Sequence, residues 1–373
     1  MTPNFSLLHR QVVFGKSNGK ILWQPRIGCW YHDKVFERQS FPAPFTGMDL
    51  PAIYRELNCS ARIYDYNRCF VPVEHPSVRI TTRDDDTDIE TVIETPVGKQ
   101  VQVLRRTPNS RCLKQFKWEV SSEEELKVAV WRKENTAWRW DPEAFDDVYR
   151  TWGDLGAPTM YLPRVNIQDL YINTMGTQNG IYALYDWPDT VQAYFHALDL
   201  CHDRLIDVVN TSPIEIINFG DNLHGGTLPP DLFCRYVLPA YQKRCERLHA
   251  AGKFVHAHWD GDVKSLLPYA RQTGLDGIEA ITPKPQGDVT LEEVKESLGN
   301  DMFLIDGIPA IYFDEIFPAS ILEDCVHRLI KLFAPKLILG ISDEISSTGD
   351  LERIRRVGTI VDAFNATKEL GHY

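Results

Sequence analysis

The sequence predicts an α/β fold, a (β/α)8 barrel with an inserted antiparallel β subdomain. Three observations carry that expectation. From about Trp152 onward, short apolar strand-like runs alternate with helical segments, as in parallel sheets covered on both faces. Each late run ends in polar groups: Asp221, then His256, His258 and Asp260, then Glu279, Asp306, and Asp343 with Glu344. Barrel active sites collect at such C-terminal strand ends, drawn from several strands. A doubly wound sheet, the alternative architecture, would want a Gly-rich first turn, and the chain has no GxGxxG and no GxxxxGK[ST].

The elements follow in order. ILWQPRIGCWY, Ile21 to Tyr31, reads as the first strand, and Pro51 to Leu57 as the first turns of a helix. From Val78 to Val120 the rhythm changes to short runs, VRITT, IETVIET, KQVQVLRR and CLKQFKWEV, separated by the turn signals DDDTD and PVG. This is an antiparallel meander, expected as an insertion at about 78–120 in one domain covering 1–373. SSEEEL then starts a helix through a serine with a glutamate three positions on. TMYLPRV, IEIINFGD, KFVHAHWDG, GLDGIEAIT, MFLIDGI and KLILGISDE are the barrel strands. Between them PPDLFCRYVLPAYQKRCERLHAAG, which begins after a proline pair and stops at Gly252, and SLLPYARQTG read as helices.

The 373 residues, 43% hydrophobic and 25% charged, suffice for a large core. A formal charge of -12 argues against nucleic-acid or anionic-membrane partners, which need a basic face. The first residues have no apolar core of a signal peptide, and no run nears the ~20 apolar residues of a membrane span. Eight scattered cysteines without a CxxC read as reduced thiols, so a cytoplasmic location is expected and any metal site leans on His, Asp and Glu.

Residues two apart on a strand share a face, so His256, His258 and Asp260 can all point into the barrel mouth. Taken alone, His256 reads as a core histidine that touches substrate at most. His258 and Asp260, joined by Glu279 and Asp343 from other strands, read as a metal site, because several gathered carboxylates need a cation. Glu279 and Asp221 are the candidate catalytic groups. Asp221, in GDNLHGG, equally reads as a loop cap. Arg26, Trp30, Tyr31 and Trp259 are candidate substrate contacts, with packing the competing reading. Asp306 in LIDGI reads as a partner orienting a ligand histidine.

HWDG, TGLDGIEAITP, MFLIDGI and the closing KLILGISDEISSTGDLERI together resemble the uroporphyrinogen decarboxylase superfamily, best from about Ile214 to Glu352. The resemblance implies a barrel that is either a decarboxylase or a zinc-dependent, corrinoid-linked methyltransferase. The decarboxylase branch carries an Arg-Gln-Ala-Gly-Arg run near its start, where this chain has QPRIGCWY and only Arg26. In the methyltransferase branch a His-x-Cys-Gly motif and a later cysteine hold zinc. Here His258 matches the histidine, Asp260 the first cysteine and Gly261 the glycine; Asp343 falls near the second cysteine, with Ser342 and Glu344 as neighbouring alternatives. Carboxylates in place of thiolates leave zinc a stronger Lewis acid toward oxygen, which suits a methyl ether, though such a set also accommodates other divalent ions.

The expectation is therefore an O-demethylating methyltransferase. It would take a small methoxylated, aryl methyl ether substrate and pass the methyl group to the cobalamin-type corrinoid of a separate corrinoid protein. The chain itself lacks the DxHxxG signature of a corrinoid-binding domain. The competing readings are a metal-free decarboxylase or other lyase and a non-catalytic small-molecule-binding barrel. The oligomeric state, a homodimer included, is left open by the sequence.

Overall fold

The structure, a computed structural model, describes residues 3–369. Its strands run in chain order as β1 (Leu22–Trp23), β2 (Phe70–Val73), β3 (Arg79–Asp84), β4 (Asp88–Thr95), β5 (Gly98–Thr107), β6 (Ser110–Lys117), β7 (Ala137–Trp140), β8 (Thr159–Leu162), β9 (Ile216–Phe219), β10 (Phe254–His258), β11 (Gly277–Glu279), β12 (Phe303–Pro309) and β13 (Leu337–Ser342).

Seven of them form one parallel sheet in the order β1-β13-β12-β11-β10-β9-β8. Neighbours follow chain order and the first strand docks on the last. A doubly wound sheet would instead reverse its order about a switch point. The sheet is thus curled like a barrel, but its ladder does not close, which corrects the eight-stranded expectation. Between β1 and β8 the eighth place is taken by an irregular stretch, residues 59–64. Ser60 N donates to Trp23 O at 3.0 Å, Ala61 N donates to Leu155 O at 2.7 Å, and Asn67 bonds Tyr161 N and O through its side chain. Side-chain and loop bonds replace the ladder there.

Period-two patterning fills the interior in layers. Leu22, Ile216, Phe254, Phe303, Ile305 and Ile338 make an apolar floor with Val12 and Val13 of the helix Phe5–Val13. Two residues further along their strands stand Asn218 and His256, in register with each other and with Tyr161. One more step brings His258, in register with Glu279. Both faces of the strands being buried, the polar residues of β10 line the inside of the barrel.

Three expected elements differ. The strand expected over Ile21 to Tyr31 ladders at only two residues; Pro25 has no N–H for a sheet, and Gly28–Phe36 is a helix. SLLPYARQTG holds only a 3-10 turn, Leu267–Gln272, with Pro268 at its start. The long helix after β9 is interrupted by a π turn at Phe233–Val237, next to Pro239, which cannot donate into the helix. The helix begun by SSEEEL spans Glu123–Asn135 with Ser122 as its cap.

The inserted meander is present as the antiparallel sheet β3-β4-β5-β6, beside a small β2-β7 pair. Beyond its hairpin tip, Arg111 of β6 reaches the helix Gly28–Phe36, with Nε 2.7 Å from Asp33 Oδ1. Among the described residues no helix is long and apolar enough to cross a membrane.

Candidate functional site

Glu279 is the centre of the barrel's polar layer and has no exposed surface. Its Oε1 lies 3.0 Å from His258 Nδ1, 3.0 Å from Arg62 Nη1 and 3.4 Å from the Tyr161 hydroxyl. Its Oε2 accepts from Asn218 Nδ2 at 2.6 Å and lies 3.2 Å from His256 Nδ1. Burial opposes a charge at this position, yet Arg62 and the hydrogen bonds from His256 and His258 hold the carboxyl well below the usual range. Glu279 is an ionised, fully engaged carboxylate with no oxygen left free.

Arg62 also clamps Asp306, Nη2 to Oδ1 at 2.7 Å and Nη1 to Oδ2 at 3.1 Å, and its Nε donates to Gln24 Oε1 at 3.2 Å. Burial pushes the Asp306 carboxyl up, Arg62 draws it down, and the Glu279 charge adds to the rise. Asp306 therefore orients Arg62, and through it Glu279, with no direct bond to a histidine. Its place requires Gly340: a Cβ there would lie 2.2 Å from Asp306 Oδ1 and 2.9 Å from Gln24 O.

Three non-glycine residues of the barrel, Ala280 just after β11, Asp306 within β12 and Asp343 just after β13, have positive φ of 68°, 78° and 71°. Such strained backbone is held only where surrounding structure over-determines it, and it concentrates at functional sites.

Because His258 Nδ1 is committed to Glu279, Nε2 is the ring nitrogen left for a ligand, the arrangement common to metal-binding histidines. Asp260 is half-buried on the following loop. Asp343, half-exposed after β13, has its carboxyl raised by burial, lowered by Arg26, raised again by Asp260 and lowered by His258. His258, Asp260 and Asp343 therefore share one electrostatic neighbourhood at the mouth. Among the described residues no three His, Cys, Asp or Glu side chains are gathered closely enough to hold a metal ion as they stand. The donor set suits a hard divalent ion in kind, with Glu279 outside it as the residue that fixes His258. Of the closing-strand alternatives, Ser342 is buried and bonded to Ile281 O and Gly307 N, and Glu344 accepts from Cys29 N at 3.0 Å.

Other expected contacts fall elsewhere. Asp221 commits Oδ1 to Val165 N at 2.9 Å and Oδ2 to the Tyr241 hydroxyl at 2.8 Å, tying two helices to β9. Trp30 is buried against Phe41 and Phe45, and Trp259 is enclosed beside Phe233. Tyr31 stacks on Phe41. His256 stays in the buried layer beneath His258. Arg26, by contrast, is 9% exposed with Nε and Nη1 lacking any hydrogen-bond partner; Glu344 and Asp343 approach it only to 3.5 and 3.7 Å. It lines a cavity of about 200 Å³ with Arg62, Tyr64, Arg111 and Trp152.

Sequence reasoning missed Arg62, Asn218 and Tyr161. The available signal was Arg62 itself, a cation between Ala61 and Ile63 in an otherwise apolar run.

A family model described as uroporphyrinogen decarboxylase (URO-D) matches residues 171–305, which include β9, β10 and β11 whole. Among solved structures, a methyltransferase from Methanosarcina mazei is similar with a TM-score of 0.59 and 11% identity, over 96% of this chain and 99% of that one. At that identity the likeness is one of fold. A D-psicose 3-epimerase with D-tagatose from Clostridium cellulolyticum (TM-score 0.34, 8% identity, 61% of this chain and 84% of that one) and a chitinase from Flavobacterium johnsoniae (TM-score 0.33, 12% identity, 61% and 83%) are too distant to carry an argument. Among curated proteins none matches the sequence.

Proposed function

We propose that this chain is a methyltransferase of the uroporphyrinogen decarboxylase-like type that demethylates a methoxylated aromatic and passes the methyl group to the reduced cobalt of a corrinoid carried by a separate protein. The observation that most supports this reading is His258, held by the ionised Glu279 with Nε2 left for a ligand, and felt electrostatically, with Asp260, by the Asp343 carboxyl. The whole-length fold likeness to a methyltransferase supports it as well. A divalent ion, zinc in the first instance, would be held by His258, Asp260 and Asp343 and would act as a Lewis acid toward the ether oxygen.

The chain's own residues do the rest. Glu279 fixes the tautomer and orientation of His258, and Arg62 keeps Glu279 ionised in a dry interior. Arg26, whose Nε and Nη1 have no hydrogen-bond partner and which Glu344 and Asp343 approach only loosely, would turn its guanidinium toward an acidic substituent on the substrate ring, within a cavity that Tyr64 and Trp152 flank. Orientation of the methyl group toward its acceptor is the main catalytic gain available from such a pocket. The purified chain, given a methoxybenzoate and a reduced corrinoid protein, should yield hydroxybenzoate and methylcobalt, seen as a change in the cobalt absorbance. A chelator should stop the reaction and zinc restore it.

One observation favours a second reading, a decarboxylase or other lyase without metal. Arg26, Arg62 and Arg111 line one cavity, as a substrate bearing carboxylates would require. Carbon dioxide released from a carboxylated substrate, with no methylation of cobalt, would select this reading over the first.

A further inference from the structure

The wall of the Arg26 cavity contains a helix start with no cap of its own. The helix Gly28–Phe36 follows Ile27, whose side chain offers no acceptor. The N–H groups of a first helical turn have no partner within the helix and carry the positive end of its dipole, which favours a carboxylate. Glu344, 315 residues away in the chain, supplies one. Its Oε2 accepts from Cys29 N at 3.0 Å, and its two oxygens lie 3.6 and 3.7 Å from where a Cβ on Gly28 would stand.

Glu344 fills this place incompletely. Among the described residues, the bond from Cys29 is the one hydrogen bond its carboxylate makes. Oε1 meets Arg26 Nε only at 3.5 Å, and Arg26, 9% exposed, keeps Nε and Nη1 without a hydrogen-bond partner. Unmade hydrogen bonds on a buried cation are costly. The cavity of about 200 Å³ lies beside them, lined by Gly28, Cys29 and Glu344 as well as Arg26. A cap that served the helix alone would need neither the under-bonded arginine nor the cavity. Asp343 and Ser346, close to Glu344 in the chain, are exposed, so the Glu344 side chain has water to turn into.

We propose that the helix start and Arg26 are the seat of the substrate's acidic group, and that Glu344 occupies it as an internal stand-in which the substrate displaces. This rests on the reading of the substrate as an acid-bearing aromatic. A carboxylate on a ring presents two oxygens on a rigid arm, one for Cys29 N–H and one for the Arg26 guanidinium. The seat adjoins the proposed ligand set, since Arg26 Nη2 is 3.7 Å from Asp343 Oδ1. Neutral rings cannot outcompete Glu344 there, so the stand-in rejects them as well as marking the place.

The test needs no corrinoid protein. Benzoate is titrated calorimetrically into the purified chain, with benzamide as the neutral control. If Glu344 leaves the seat for about a tenth of the time, emptying it strengthens binding about 10-fold. Glu344→Ala should therefore bind benzoate at least about 10-fold more tightly than wild type, and Arg26→Gln about 10–100-fold more weakly. Benzamide should gain little in Glu344→Ala. Glu344→Gln keeps the size of the side chain and an acceptor for Cys29 N, which guards against a fold lost with the cap, and should fall between wild type and Glu344→Ala. Removing a negative charge strengthens anion binding anywhere in the cavity, so the seat itself is read from wild-type crystals soaked in para-bromobenzoate. The carboxylate should lie on Cys29 N and Arg26 with Glu344 turned out. A ligand bound elsewhere, Glu344 still on Cys29 N, or unchanged affinity in both Glu344 variants would overturn the assignment and leave demethylation standing. Benzoate seated as described in a protein that frees no phenol from any ether would remove demethylation and keep the seat.

Discussion

Arg62 and Glu279 form an ion pair enclosed by the barrel, Nη1 to Oε1 at 3.0 Å, with the guanidinium side chain 3% exposed and the carboxylate not at all. Removing one partner of such a pair strands the other charge in a poorly solvated interior. Arg62→Met should lower unfolding stability by about 3–5 kcal/mol in urea titrations. A loss near the ~1 kcal/mol of an exposed pair would mean the interior does not depend on this guanidinium.

His9 sits on the helix that closes the barrel floor and is 4% exposed. Burial pushes its imidazole from 6.5 down to about 3, with the charges of His256, Arg62 and Arg10 adding to the fall. The unfolded chain takes up this proton near 6.5 and the folded one only near 3. The contribution is therefore fully present above pH 6.5 and is lost as pH falls toward 3, at up to about 1.4 kcal/mol per pH unit. His9→Phe should flatten the unfolding free energy between pH 6 and 4, as about one proton is removed from the linkage. Parallel curves for the two proteins would refute this.

The metal proposal separates two residues that the sequence placed together. His258→Ala should abolish metal retention after dialysis, measured by elemental analysis. Glu279→Gln keeps an acceptor for His258 but loses the charge, and should weaken zinc binding by about 10–100-fold in chelator competition. Equal and complete loss in both variants would return Glu279 to the ligand set.

Two glycines should respond in opposite ways. Gly340→Ala would drive a Cβ into Asp306 and the backbone at Gln24, and should cost about 1–3 kcal/mol. Gly358, inside the helix Leu351–Glu369, faces Trp23 at an ordinary contact distance of 3.5 Å. Gly358→Ala should stabilise by about 0.5–1 kcal/mol through helix propensity and a less flexible unfolded chain. Thermal and urea unfolding of both variants checks the contrast, and a stabilised Gly340→Ala would show that Asp306 has room to move.

Local pattern alone located β8 to β13 and the inserted meander, because alternation and turn residues act within a few positions of one another. It also put His256 and His258 on one face of β10, since a strand has only two faces. What it left open needed the ladder register. Arg62 and Asp306 are 244 residues apart in the chain, and only the curled sheet brings them together. For the same reason Glu279 reads from sequence as a metal ligand, whereas the fold surrounds both of its oxygens with donors from β8, β9, β10 and the stretch that replaces the eighth strand. Trp30 and Trp259 carry no local mark distinguishing a pocket wall from core, and packing alone decided for core. The sequence by itself determined that His256 and His258 share one face of their strand and that Glu279 and Asp306 belong to the same run of strands. Which of them neutralise one another and which remain free to meet a ligand was decided by tertiary structure, because charge pairing depends on distance in space and leaves no period in the chain.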